Sequence, residues 1–146
     1  MENKTLFNLV QKKGSLKQNI YQTTYTAFKE FKSQAKELAE EYVIYEEENS
    51  VENRVELVYT DKSDFEFEIK FGGDVLLFMM HSNVFEIPRN HEMMKTPYIN
   101  KDKERSYGGL IYIYNFLADS FKYGRENDAG YLIGRIMLNK ENHYFI

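Results

Sequence analysis

The chain has 146 residues, no cysteine, and a formal net charge of −4, with 42% hydrophobic and 29% charged residues. That is enough chain for one core of ordinary size, in a composition of the ordinary globular range rather than a disordered or membrane one. The lack of Cys excludes disulfides, thiolate nucleophiles and thiolate metal sites. The expected organisation is a single α+β domain over 1–146, helical over 3–42, mainly β over 43–146, with a long loop at 88–108.

The N-terminal segment interrupts its apolar residues with Asn8, Gln11, Lys12 and Lys13, so it lacks the continuous apolar core of a signal peptide. The later run Val75 to Met80 is too short to span a bilayer. A cytoplasmic protein with no membrane association is therefore expected. Residues 1–36 carry seven Lys against Glu2 and Glu30, whereas 37–48 hold six Glu and no basic residue. This asymmetry points to an acidic partner for the first third.

Leu6, Leu9 and Val10 fit a short first helix, and Gly14 followed by Ser15-Leu16-Lys17-Gln18 reads as a break and a capping box. From there Leu16, Ile20, Ala27, Phe31, Ala35, Leu38 and Tyr42 recur on one side of a long helix. Beyond 42 the period becomes that of strands. Val55, Leu57 and Tyr59 alternate with Arg54, Glu56 and Val58, and Phe65, Phe67, Ile69 and Phe71 with Glu66, Glu68 and Lys70, with Asp61-Lys62-Ser63-Asp64 as the turn between them.

Gly72-Gly73-Asp74 turns the chain into a strand over 75–81, and Ser82-Asn83 leads to another over 84–87. The loop at 88–108 holds both prolines, Pro88 and Pro97, and reads as inserted, either functional or disordered. Residues 109–121 fit a strand over 109–117 or a helix through Leu110, Ile113, Tyr114, Leu117 and Phe121, the strand being favoured by Ile and Tyr alternation at 111–114. A turn at 124–128, a strand at 131–138, a loop at 139–142 and a last strand from His143 complete the pattern, and Gly108-Gly109 reads as turn geometry. The expected fold is a long N-terminal helix packed on a curved antiparallel meander of six to eight strands.

The stretch Ile113-Tyr114-Asn115-Phe116-Leu117-Ala118-Asp119-Ser120-Phe121-Lys122-Tyr123, with Gly130 to Ile136 and Asn139 to His143, resembles the later part of a family of uncharacterised bacterial proteins. The resemblance covers 113–143 and implies no activity. It does imply that related chains continue further, so this chain reads as a piece of a longer protein or as one whose last strand closes the sheet.

No motif assigns chemistry. His81, His91 and His143 lack the spacing of a zinc site, and neither a nucleophile elbow nor a phosphate loop is present, so no metal and no cofactor are expected. The leading reading is a non-enzymatic binding or assembly module acting through a protein partner or self-association, with a small molecule as a further ligand class. A second reading is nucleic-acid binding. Tyr21, Tyr25, Lys29, Lys32 and Lys36 fall within a sector of about 80° on the helix, where aromatics would stack bases and Lys would meet phosphates. A third is a small hydrolase or isomerase with a pocket on the sheet around His81, Tyr112, Tyr114 and Arg135, where an inward Arg would require an anion.

Overall fold

A computed structural model describes residues 2–117 and 130–146. The described elements are α1 (Lys4–Glu48), β1 (Leu57–Ser63), β2 (Glu66–Phe71), β3 (Asp74–Glu86), a 3-10 turn (Glu92–Lys95), α2 (Pro97–Lys101), a second 3-10 turn (Lys103–Ser106), β4 (Tyr107–Leu117), β5 (Tyr131–Leu138) and β6 (Tyr144–Phe145). The strands form one open antiparallel sheet in the order β1-β2-β3-β4-β5-β6, so each strand pairs with its neighbour in sequence. The chain divides into two compact units, one of Met1–Thr26, His81–Leu110 and Ile136–Ile146, the other of Ala27–Met80 and Ile111–Arg135.

In the first unit the core comprises Ile20, Ile87, Ile99, Met137 and Leu138, with Thr24, Ser106 and Asn139 as buried polar members. Thr24 is fully buried and donates its hydroxyl to the Ile20 carbonyl at 2.8 Å, which spares the helix an unpaired group in its apolar face. A Cβ on Gly109 would overlap Thr24 Oγ1 and sit 2.8 Å from its Cβ and Cγ2. Only glycine lets β4 come so close to the helix. Gly108 points the other way along β4, and a Cβ there would meet the Leu138 carbonyl and Met137 Cγ at 2.7 Å. The glycine pair therefore serves close packing inside a strand and not the turn expected for it.

The second unit is organised on Phe67, which is 1% exposed. Its ring lies 5.4 Å from Phe28 on α1, 5.7 Å from Tyr59 on β1 and 4.5 Å from Phe78 on β3. The strand period places these rings on one face, because β2 pairs Phe67 with Phe78 and Ile69 with Leu76. Small residues, Ala35 and Ala39, continue the buried stripe of α1.

Several expectations change. α1 runs unbroken through Gly14, and Ser15 accepts a hydrogen bond from Gln11 Nε2 at 3.2 Å instead of capping a new helix. One interior Gly costs about 1 kcal/mol, which a 45-residue helix absorbs. The helix also ends at Glu48 and not near 42, and its buried stripe passes through Ala39, leaving Leu38 53% exposed. β1 extends through Asp61-Lys62-Ser63 with an irregular register between Asp61 and Ser63, so the turn falls later than expected.

The segments 75–81 and 84–87 form one strand, β3. His81 Nδ1 accepts from Asn83 N at 3.0 Å inside it. Residues 88–108 are largely three helical turns, and the strand beyond starts at Tyr107. The strand reading of 109–117 holds, as do the strand at 131–138 and the turn at Gly72, whose φ is +57°. The turn expected at 124–128 lies outside the described residues.

The substitution Gly109→Ala forces the added methyl into Thr24 and is expected to destabilise the protein by about 1–3 kcal/mol. Chemical denaturation measures this, and an unchanged midpoint would contradict the close approach.

Candidate functional site

The segment after β3 is built from capped turns. His91 Nδ1 accepts from Met93 N at 3.1 Å, Thr96 begins α2 with Pro97 at its first position, and Asp102 accepts from Glu104 N at 3.0 Å. These turns present Tyr98, Asp102, Glu104 and Arg105 to the loop between β5 and β6. Asn139, 7% exposed, is the hub of that loop. Its Oδ1 accepts from the Glu141 and His143 N–H groups at 3.0 Å, and its Nδ2 donates to the Tyr98 hydroxyl at 3.0 Å and the Arg105 carbonyl at 3.3 Å.

Tyr98 is held through its ring and at its tip. The His143 ring stacks on it at 4.8 Å and 8°, while the Arg105 guanidinium carbon lies 4.3 Å from its centroid. The Tyr98 hydroxyl donates to Glu141 Oε2 at 2.5 Å. Arg105 meets the same carboxylate with Nε at 2.7 Å and Nη2 at 3.1 Å, and donates from Nη1 to the Tyr98 carbonyl at 2.9 Å. Beside it Lys140 Nζ reaches Asp102 at 2.5 Å and Glu104 at 3.2 Å.

The same contacts shift the titration of their members. The Tyr98 hydrogen bond, then Arg105, holds the Glu141 carboxyl below its usual range, and the Lys140 hydrogen bond does the same for Asp102. Burial, then the bond to Glu141, pushes the Tyr98 phenol up. Both shifts, Glu141 down and Tyr98 up, run away from neutrality. The cavity among Tyr98, Arg105, Asn139 and His143 is about 40 Å³, room for little more than a water. The arrangement is a latch that fixes the segment after β3 to the last hairpin.

Glu104, held by Lys140, also lines a larger opening. A groove of about 380 Å³ is lined by Leu9, Leu16, Val84 and Tyr107, with Lys12, Lys13, Lys17 and Glu104 at its edge. Leu9, which lines it, is 49% exposed, and Leu6, Phe7 and Val10, at other angles on the first turns of α1, are 53–62% exposed. Lys12 lies 3.8 Å from Glu104, with its side chain 74% exposed, a contact of small energetic weight. Three lysines against one glutamate give the groove a positive rim. A second, more polar groove of about 360 Å³ is lined by Lys17, Gln18, Tyr21, Gln22, Ser82, Asn83 and Val84.

The residues singled out from the sequence fall as follows. Tyr21 and Tyr25 stack on each other at 6.2 Å, and Lys29 and Lys36 are exposed. Lys32 is not available to phosphates as expected. Its ammonium pairs with Asp61 at 2.8 Å, contacts the Ser63 carbonyl, and sits 5.8 Å from the Phe28 centroid, with the side chain 14% exposed. His81 is half-buried in the first unit with its ring 4.8 Å from Phe85, while Tyr112, Tyr114 and Arg135 belong to the second. Tyr112 and Tyr114 stack at 6.1 Å along β4, and Arg135 is exposed, so it creates no demand for a buried anion. None of these four lines the cavity or either groove.

Among the described residues no three His, Asp or Glu side chains group as metal ligands, and no helix is long and apolar enough to cross a membrane. No family model, curated protein or solved structure matches the chain.

Because Glu141 and Asp102 have lowered folded values, their contribution to stability is complete above the ordinary carboxylate range and is lost as pH falls from that range through the lowered folded values. Melting temperature is expected to fall on acidification below about pH 4.5, and Glu141→Gln should flatten that fall while lowering stability at neutral pH. Parallel acid limbs for parent and variant would contradict the latch.

Proposed function

We propose that the chain is a non-enzymatic binding or assembly module whose docking surface is the groove beside the first turns of α1. The observation that carries this is a groove lined by Leu9, Leu16, Val84 and Tyr107 together with Lys12, Lys13 and Lys17, on a stretch of α1 where Leu9 is 49% exposed. An apolar floor under a cationic rim suits a protein segment that is amphipathic and acidic, with helix-in-groove geometry as the natural mode. The latch serves this reading by holding Glu104 and Tyr107 in place. The proposal includes a cytoplasmic location, in keeping with a sequence that needs no oxidising compartment, and membership of the bacterial family that residues 113–143 resemble.

A second reading is nucleic-acid binding beside Tyr21, favoured by the polar groove that Tyr21 shares with Lys17, Ser82 and Asn83. It is the weaker one, because Lys32 is already committed to Asp61.

Titration of a synthetic peptide of about fifteen residues, with Leu and Glu at helical spacing, tests the proposal. Binding is expected at low salt, weakened severalfold in about 0.5 M salt and abolished by Leu9→Glu with Lys13→Glu. No binding to the parent protein contradicts the proposal. A single-stranded oligonucleotide bound in its stead, with loss in Lys29→Ala with Lys36→Ala, favours the second reading.

A further inference from the structure

Three consecutive apolar residues at the start of β5 are uncovered. Tyr131, Leu132 and Ile133 are 75%, 47% and 57% exposed, and because neighbours in a strand point to opposite faces, both faces are bare there. The outer edge of the strand is bare as well. β6 lies along that edge only at Met137 and Leu138, and among the described residues no strand pairs with it over 131–135. Met137 faces Phe145, and Asn139 N donates to the His143 carbonyl at 2.9 Å. At the two-residue period of a strand, the N–H and C=O groups of Tyr131, Ile133 and Arg135 therefore point out of the same edge.

Sheets protect such edges with charge, proline, bulges or very short strands. The other edge of this sheet is protected, since β1 carries Asp61 and Lys62 and its register is irregular between Asp61 and Ser63. Residues 131–134 hold neither charge nor proline. Gly134 is a second, independent observation. Its φ is not positive, and a Cβ there would meet Ile113 Cδ1 at 3.6 Å, an ordinary contact, so neither backbone conformation nor packing within the chain calls for glycine. Glycine inside a strand otherwise marks a place that something approaches closely.

We propose that the uncovered edge of β5 pairs with the same edge of a second copy of the chain, antiparallel, with Ile133 on the two-fold axis. This surface is separate from the groove on α1. In this register Ile133 faces its own counterpart, Tyr131 faces Arg135 of the second copy, and Leu132 faces Gly134 of the second copy. Tyr131, Ile133 and Arg135 share one face, where the guanidinium meets the tyrosine ring across the strands. Arg135 is exposed and has no ion pair among the described residues, so this contact gives it a partner. On the other face Leu132 fills the room that Gly134 leaves. The outward backbone groups of residues 131, 133 and 135 exchange two hydrogen bonds per facing pair, about six in all. The contact is isologous and closes at two copies, whereas joining β5 to the β1 edge of another copy would propagate.

Sedimentation equilibrium over a range of protein concentrations, with circular dichroism as the check on folding, tests the pairing. The parent is expected to dimerise. Ile133→Lys, at an exposed position, should be a folded monomer, because two ammonium groups would meet on the axis, and Arg135→Ala should dimerise about tenfold more weakly. The chain has no cysteine, so disulfide trapping reads the register. Under mild oxidation Ile133→Cys should cross-link to its counterpart, whereas Tyr131→Cys should not, its counterpart lying about 13 Å away along the strands. A parent that stays monomeric, or Tyr131→Cys trapped as readily as Ile133→Cys, overturns the proposal, and neither result bears on the peptide binding that tests the groove.

Discussion

The burial of one stripe of α1 is the constraint on which the rest of the structure depends. Ile20, Thr24, Phe28, Ala35 and Ala39 are all buried, and each unit packs around its own part of this stripe. Thr24 sets the distance of closest approach to β4 and thereby requires Gly109, while Phe28 supplies the ring against which Phe67 collects Tyr59 and Phe78. A helix of 45 residues is about 67 Å long, well beyond the span of a six-residue strand. The buried stripe ends before the helix does at its N-terminus, and uncovered Leu6, Phe7, Leu9 and Val10 are the consequence.

The latch and the groove divide the labour in the first unit. Tyr98, Arg105, Asn139, Glu141 and His143 satisfy one another almost completely, so their polar groups are committed to holding the chain. Such a network specifies one arrangement of the turns after β3, since breaking any member strands its partners. The groove has the reverse character. Its lysines are exposed, Leu9 is 49% exposed and Leu16 is half-buried, which leaves surface free energy available to a ligand.

Period along the chain makes the elements legible, and distance along the chain conceals the contacts between them. The helical repeat from Leu16 to Tyr42 and the alternation at 65–71, 109–117 and 131–138 are local signals, and the helix and strands they imply are present. Gly14 and Ser15 mislead because local breakers and caps compete with neighbouring helix on both sides, and the helix wins when Ser15 finds Gln11. Gly108-Gly109 reads as a turn because sequence alone does not distinguish a glycine needed for conformation from one needed for space. The latch is illegible in the sequence: Tyr98 and Glu141 stand 43 residues apart, and neither lies in a motif. Lys32 deceives for the same reason, its partner Asp61 lying on another element. Of the docking surface, the i, i+3, i+4 pattern of Leu6, Leu9 and Val10 and the lysine excess are readable, but Val84 and Tyr107 join it only through the fold.

The central claim is that α1 is a single helix buried along its middle and uncovered at its N-terminal turns. Residue-resolved amide hydrogen exchange with backbone carbon chemical shifts tests this most directly. The account predicts unbroken helical shifts from Lys4 to Glu48, slowest exchange between Ile20 and Ala39, and faster exchange over the first three turns in dilute protein. A loss of helical shifts at Gly14 and Ser15, or strongest protection at Leu6 to Val10, would contradict it.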